Sequence, residues 1–260
     1  MLNFKEITAK DNNLLKLTTL LQKSAKARKD KGLFVLEGLR ICRDAAENGV
    51  AFETLILSKS VYSAASARVK DLYVNAKNGV VIGDELFKRI SDTTSPQGII
   101  ALCYVPEAKN EINPCGRYVA LENISDPANI GAVARTAEAL GVDGMIISGD
   151  SCDVYSPKAL RASMGTLVRL PLHFCDDIID FLSKHSLRGF ACVAEEVADC
   201  KFGDCSFTDG DVVIIGNEAN GLMQSTKDEA FKTINISMRG NAESLNAAAA
   251  AAIAMWELMK

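Results

Sequence analysis

Three stretches of this 260-residue chain place carboxamides, a carboxylate, a guanidinium, a hydroxyl and glycines directly behind apolar runs. Those groups can orient a polar substrate and let a ligand approach the backbone closely. The first, ENISDPANIGAVARTA (residues 122–137), breaks at Asp126-Pro127. It sets Asn129 next to a helix start, Gly131 inside that helix and Arg135 about one and a half turns beyond Asn129. In the second, IGNEANGL (215–222), Gly216 stands at a strand end and is followed by Asn217, Glu218 and Gly221. The third, ISMRGNAESLNAAAAA (236–251), leaves a strand ending at Met238 and reaches Ser244, Leu245 and Asn246 ahead of an alanine-rich helix. Charged side chains near strand ends in apolar surroundings face a ligand or each other, which singles out Glu218 and Arg135. The other residues have an equally simple structural use, since Asn, Gly, Asp and Ser build turns and a Ser or Asn before a helix caps it. Residue types alone leave both uses open.

Absences narrow the chemistry. No GxGxxG follows a strand, no GxxxxGK[ST] is present and GxSxG is missing, so hydride transfer, NTP hydrolysis and serine hydrolysis lose their usual signatures. With two histidines and eight cysteines that form no CxxC pair, no metal-ligand spacing can be assembled, and no metal is expected. The cysteines read as reduced thiols of a cytoplasmic protein. The longest apolar run, Ala247 to Trp256, is ten residues. A bilayer span needs about 20, so no membrane contact is expected. The N-terminal residues MLNFKEITAKDNN lack the apolar core of a signal peptide.

The elements that must position these loops alternate between strand and helix. Leu14 to Lys31 reads as one amphipathic helix with a basic end, carrying Lys23, Lys26, Arg28, Lys29 and Lys31. Strands GLFVLEG, FETLILS, GVVIG and GIIALCYV follow, with helices between them. PEAKNEINPCG (106–116) has no periodicity and reads as a linker between a domain at 1–105 and a second at 117–260. Beyond it, apolar runs such as YVAL, GMIIS and DVVII lack polar alternation, the pattern of a parallel sheet covered on both faces. Net charge divides the same way. Residues 1–105 hold 16 basic and 11 acidic side chains, while the whole chain carries −4, so the second part is strongly acidic.

In order and spacing, DPANIGAVARTAEALG, IIGNEANGL and INISMRGNAESLNAAAAAAIAMWE resemble the three motifs of the SpoU (TrmH-type) RNA 2′-O-ribose methyltransferases, a branch of the SPOUT superfamily. RASMGTLVRLPL (161–172) resembles the segment this family carries between its first two motifs. Residues 22–105, with KDKGLFVLEG and SPQGIIAL, look like the family's small α/β RNA-binding domain. The resemblance implies an α/β fold whose C-terminal parallel-sheet domain closes a trefoil knot, with S-adenosylmethionine as methyl donor and dimerisation through the knotted domain. By motif position, Gly216, Ile236, Met238 and Leu245 would contact the donor. Asn129, Arg135, Glu218, Ser244 and Asn246 would serve catalysis and substrate placement. The five basic residues from Lys23 to Lys31 would meet RNA phosphates. Ribosomal RNA is the favoured substrate; transfer RNA, methylation of a base nitrogen and a non-catalytic RNA-binding relative are the alternatives. One departure is Ser237, where the family commonly has proline.

Overall fold

The computed structural model describes residues 3–64, 67–106, 111–194, 198–238, 240–241 and 244–260; of the expected linker, 107–110 lie outside them. In chain order the elements begin with β1 (Phe4–Ile7), α1 (Asn13–Lys23), α2 (Ala25–Lys31), β2 (Leu33–Glu37), α3 (Leu39–Glu47), β3 (Phe52–Ser58), α4 (Lys59–Ala64), α5 (Ala67–Lys70), β4 (Ala76–Ile82), α6 (Asp84–Ile90) and β5 (Ile99–Tyr104). They continue with β6 (Tyr118–Leu121), α7 (Pro127–Leu140), β7 (Gly144–Ser148), α8 (Pro157–Ala162), β8 (Leu172–Cys175), α9 (Ile178–Lys184), β9 (Arg188–Val193), β10 (Cys200–Lys201), β11 (Asp211–Ile215), α10 (Gln224–Glu229), β12 (Lys232–Asn235) and α11 (Ala247–Leu258). The chain packs as two compact units, one of residues 1–107 with 155–169 and one of 108–154 with 170–260. The α8 segment, expected within 117–260, therefore packs in the first unit.

The first unit is built on a mixed five-stranded sheet in the order β1-β4-β3-β5-β2, in which β5 runs antiparallel to both β2 and β3. Its core gathers Leu15 and Leu21 of α1, Ile56, Ile82, Phe87 and Ile100. Leu14 to Lys31 forms two helices instead of the single one expected. Ser24 closes α1 in an extended conformation, and its hydroxyl accepts from Ala27 N to start α2. The α8 segment joins this unit through Tyr155, whose ring lies 4.8 Å from that of Phe34.

The second unit carries a seven-stranded sheet in the order β10-β12-β9-β11-β6-β7-β8, with every pair parallel. Strands β6, β7 and β11 are buried along their whole length, as unalternating apolar runs require. Ile178 and Leu182 of α9 pack on Ala120, Ile146 and Ile214. The alternate strand residues point the other way, toward the face on which α7 and α11 pack. Helix α7 starts where the sequence places it, with Asp126 as N-cap accepting from Ala128 N and Pro127 at the first position.

Two local expectations are corrected. The strand expected to run to Met238 stops at Asn235, because its partners β9 and β10 end opposite that residue. Cys200 and Cys205 form a disulfide instead of two thiols. A turn through Gly203 (φ +94°) folds the chain back between them. The reduced state inferred for all eight cysteines loses that pair as support. Among the described residues, no helix is long and apolar enough to cross a membrane.

Candidate active site

All three polar loops emerge from the carboxyl ends of β6, β11 and β12, where ligands gather on open parallel sheets. They are tied together by a chain of carboxylate and amide contacts. Glu218 accepts from Ser125 N at 3.0 Å, Ser125 Oγ at 2.7 Å, Asp126 N at 3.1 Å and Asn129 Nδ2 at 2.8 Å. Asn129 Oδ1 in turn accepts from Asn246 Nδ2 at 3.1 Å. Asn246 Oδ1 caps α11 by accepting from Ala248 N at 2.9 Å. The expected residues Asn129, Glu218 and Asn246, one from each loop, thus form one connected path.

Partial burial pushes the Glu218 carboxyl upward, but the hydrogen bonds from Asn129 and Ser125 outweigh it and hold the group at about 2. Glu218 is therefore ionised at neutral pH. With four donors directed at it, this carboxylate positions its neighbours instead of taking up a proton.

The second loop turns back tightly after β11. Asn217 N donates to Gly221 O at 3.0 Å and Gly221 N to Asn217 O at 2.9 Å. Only a glycine fits at 216, since a Cβ there would stand 2.3 Å from the carbonyl carbon of Gly221. Asn217 Nδ2 donates to Asn123 O at 2.7 Å, a second tie to the first loop.

This return shapes a cavity of ≈300 Å³ whose lining includes all four expected donor contacts, Gly216, Ile236, Met238 and Leu245, together with Ser244 and Glu218. Its size falls at the lower end of ligand sites. Among the described residues, Glu218 and Lys227 are the charged members of the lining, and Ile215 and Leu222 extend its apolar wall. An apolar slot with a glycine-tightened backbone turn and polar groups at its edge suits an adenosine-bearing ligand with a polar tail.

Sequence reasoning missed several contributors. Cys192, Val193 and Ala194, at and after the end of β9, line the same cavity. Burial pushes the Cys192 thiol up to about 12, so it forms wall and is no nucleophile. Glu122, 1% exposed, reads in sequence as a strand end. Its carboxylate accepts from Met223 N at 2.7 Å and from Thr226 Oγ1, and so anchors the start of α10 beneath the cavity. Its signal was a carboxylate directly behind the apolar run YVAL.

Two expected groups stand elsewhere. Arg135 is exposed on α7. Six residues advance a helix by about 600°, which turns Arg135 roughly 120° away from Asn129. Arg135 is neither part of the Glu218 network nor on the cavity lining. Arg28, expected on RNA phosphates, is 5% exposed. Its guanidinium donates to Leu21 O and, at 3.3 Å, to Gln22 O. The break at Ser24 leaves these last-turn carbonyls of α1 in need of donors. Lys23, Lys26, Lys29 and Lys31 are exposed.

The SpoU rRNA Methylase family profile matches residues 116–256, more than half of the chain. The chain belongs to the SpoU family. An MRM3-like substrate binding domain matches residues 12–101. A 23S rRNA (uridine(2479)-2′-O)-methyltransferase from Streptomyces viridochromogenes is 29% identical over 98% of this chain and 92% of its own length. The structure of the SpoU methyltransferase AviRb from the same organism, in complex with AdoMet, superposes with a TM-score of 0.85 at 26% identity, covering 95% of this chain and 97% of that one. An AdoMet-bound rRNA methyltransferase from Sinorhizobium meliloti superposes with a TM-score of 0.86 at 25% identity, covering 98% of this SpoU chain and 97% of that one.

Proposed function

We propose that this SpoU-family chain transfers a methyl group from S-adenosylmethionine to a ribose 2′-hydroxyl of ribosomal RNA. The observation that carries the reading is the ≈300 Å³ cavity in which Gly216, Ile236, Met238 and Leu245 meet at the ends of parallel strands. The relatives named as 23S rRNA 2′-O-methyltransferases support the substrate class. Gly216, Ile236 and Leu245 hold the donor in that cavity, with Met238 beside them. S-adenosylmethionine supplies an electrophilic methyl group when bound.

The chain's own residues supply alignment and charge. Orientation of the hydroxyl against the methyl can contribute about 7–11 kcal/mol. Ser244, exposed on the cavity lining, is the group free to orient that hydroxyl. Asn129 has both ends of its amide engaged by Glu218 and Asn246, so it holds the loops in place. The guanidinium of Arg135 stabilises the developing alkoxide or a flanking phosphate.

The reading extends to a homodimer, in which Arg135 serves a site completed by a second copy. Ile253 and Trp256 are 39% and 58% exposed on α11, an apolar surface that a partner would cover. A trefoil knot is part of the same proposal. What supports it is that α11, the element after β12, packs on α7 and β11. The proposed setting is the cytoplasm, with the ribosomal RNA.

Purified protein incubated with deproteinised ribosomal RNA and methyl-labelled S-adenosylmethionine tests the function. One labelled 2′-O-methylnucleoside is the expected product. Label on a base, label on transfer RNA alone, or failure to bind the donor in calorimetry would overturn it.

A further inference from the structure

We propose that the first unit carries a pocket for one unstacked nucleotide of the RNA substrate, separate from the nucleotide that is methylated. The pocket is a cavity of ≈350 Å³ formed by the end of β2, the start of α3, the loop 93–97 and the α8 segment. It lies outside the donor cavity and shares no residue with it. Because its ligand is the RNA, the inference rests on the reading above.

The floor is apolar, made by Ile41, Leu160 and Met164. Its acceptors are already engaged. Glu37 accepts from Thr93 Oγ1 at 2.8 Å, from Asp92 N at 2.9 Å and from Ser91 Oγ. Gln97 Oε1 accepts from Leu39 N at 2.9 Å. Gly38, at φ +108°, admits that contact, since a Cβ there would stand 3.2 Å from Gln97 Oε1. The remaining polar residues of the lining are rich in donors: Arg40, Arg161 and the Gln97 amide, with the Ser95 hydroxyl able to donate or accept. Arg161 is braced by Asp92 at 2.6 Å. Arg40 is exposed and, among the described residues, no ion pair engages it.

Met164 adds an independent observation. It holds φ +53° and its side chain is 45% exposed. A left-handed backbone at a long apolar residue costs stability, and such conformations gather where a ligand is bound. An apolar floor ringed by donors matches a splayed base, whose face packs on Met164 and Leu160 while its phosphate meets Arg40. A smaller cavity of ≈30 Å³ shares Glu37, Ile41, Thr93, Leu160 and Arg161 with this pocket and reaches Gln22, the chain neighbour of exposed Lys23. Three lining residues, Leu160, Arg161 and Met164, lie outside the matched substrate-binding domain, in the segment between β7 and β8.

The test is fluorescence anisotropy of the full chain with a mixed-sequence single-stranded RNA of about ten nucleotides, and with the same sequence as a duplex. Met164→Gly removes the floor while suiting the left-handed backbone, and Arg40→Ala removes an exposed charge, so both variants keep the fold. Met164→Gly is expected to weaken single-strand binding about five- to tenfold, the size of one lost base contact, and Arg40→Ala to weaken it by a similar factor that shrinks as salt rises, as loss of one phosphate contact requires. Duplex affinity and calorimetric binding of S-adenosylmethionine should stay unchanged. Unchanged single-strand affinity in both variants, or an equal loss on duplex, would overturn the pocket. Loss of donor binding by the unaltered protein would instead sink the methyltransferase reading and leave the pocket standing.

Discussion

At the scale of single residues, Glu218 shows how a charged group near a strand end can serve neighbours before it serves a ligand. Replacing it by Gln keeps the volume but aims an amide N–H₂ at backbone and side-chain donors. Glu218→Gln is expected to lower stability in urea at neutral pH by about 1 kcal/mol, the low end for a charged acceptor because the residue is exposed. The pH dependence has a definite sign. The folded carboxyl is held at about 2, below its ordinary 4.5. Its contribution is therefore complete above about 4.5 and is lost as pH falls toward 2. The stability gap between the native protein and the variant should be constant from about pH 7 to 5 and close below that. A gap that persists at about pH 2.5 would count against the network. The sequence singled out Glu218 as a charged group behind an apolar run and left Asn129 open between a turn residue and a site residue. It could not show that the two were partners, since 89 residues separate them. Arg28 misled for a related reason: a basic residue in a basic run looks solvated until a helix break supplies carbonyls for it to bind.

At the scale of elements, the short helix α10 depends on a residue from a different strand. Met223, its N-cap, makes no side-chain cap bond. Glu122, at the end of β6, provides the acceptors for Met223 N and Thr226 Oγ1 instead, in a place water does not reach. A carboxylate at a helix N-terminus also meets the favourable end of the helix dipole. Glu122→Ala would leave these donors without acceptors, and a loss of about 2–3 kcal/mol in denaturant unfolding is expected. Donor affinity should weaken too, because α10 supports the loop that carries Gly216 and Leu222. A change below about 0.5 kcal/mol would show that α10 is held by apolar packing alone. Strands β6, β7 and β11 were legible because burial on both faces leaves an unbroken apolar run. The end of β12 was not, because TINISM continues to alternate after its neighbours have stopped. The placement of α8 was also hidden: helical periodicity says which face is apolar, but not which sheet it covers.

At the scale of the whole molecule, the net charge of −4 conceals a basic first part, and four exposed lysines from Lys23 to Lys31 form its concentrated face. With Arg28 buried, at most four phosphate contacts come from this run. RNA affinity should fall with a log–log salt slope no steeper than about −3 to −4 from these residues. Lys26→Ala should reduce that slope by roughly one contact while Arg28→Ala lowers stability and leaves the slope unchanged. Equal slopes for the native protein and Lys26→Ala would remove α2 from the RNA interface. The assembly carries the last consequence. Helix α11 buries Ala251, Ala254, Met255 and Leu258 against its own unit and turns Ile253 and Trp256 outward. A helix apolar on every side is stable in water only when every side is covered, and in the proposed dimer a second copy would cover this face and bring Arg135 to a site its own α7 does not serve. Trp256→Glu is expected to convert a dimer to a monomer in sedimentation, with little loss of monomer stability because the indole is already 58% exposed. Methyl transfer should fall with the dimer while donor binding by the monomer persists, since the described lining of the donor cavity comes from one chain. A Trp256→Glu protein that remains dimeric and active would place the interface elsewhere, and a native protein that sediments as an active monomer would show that α11 needs no partner.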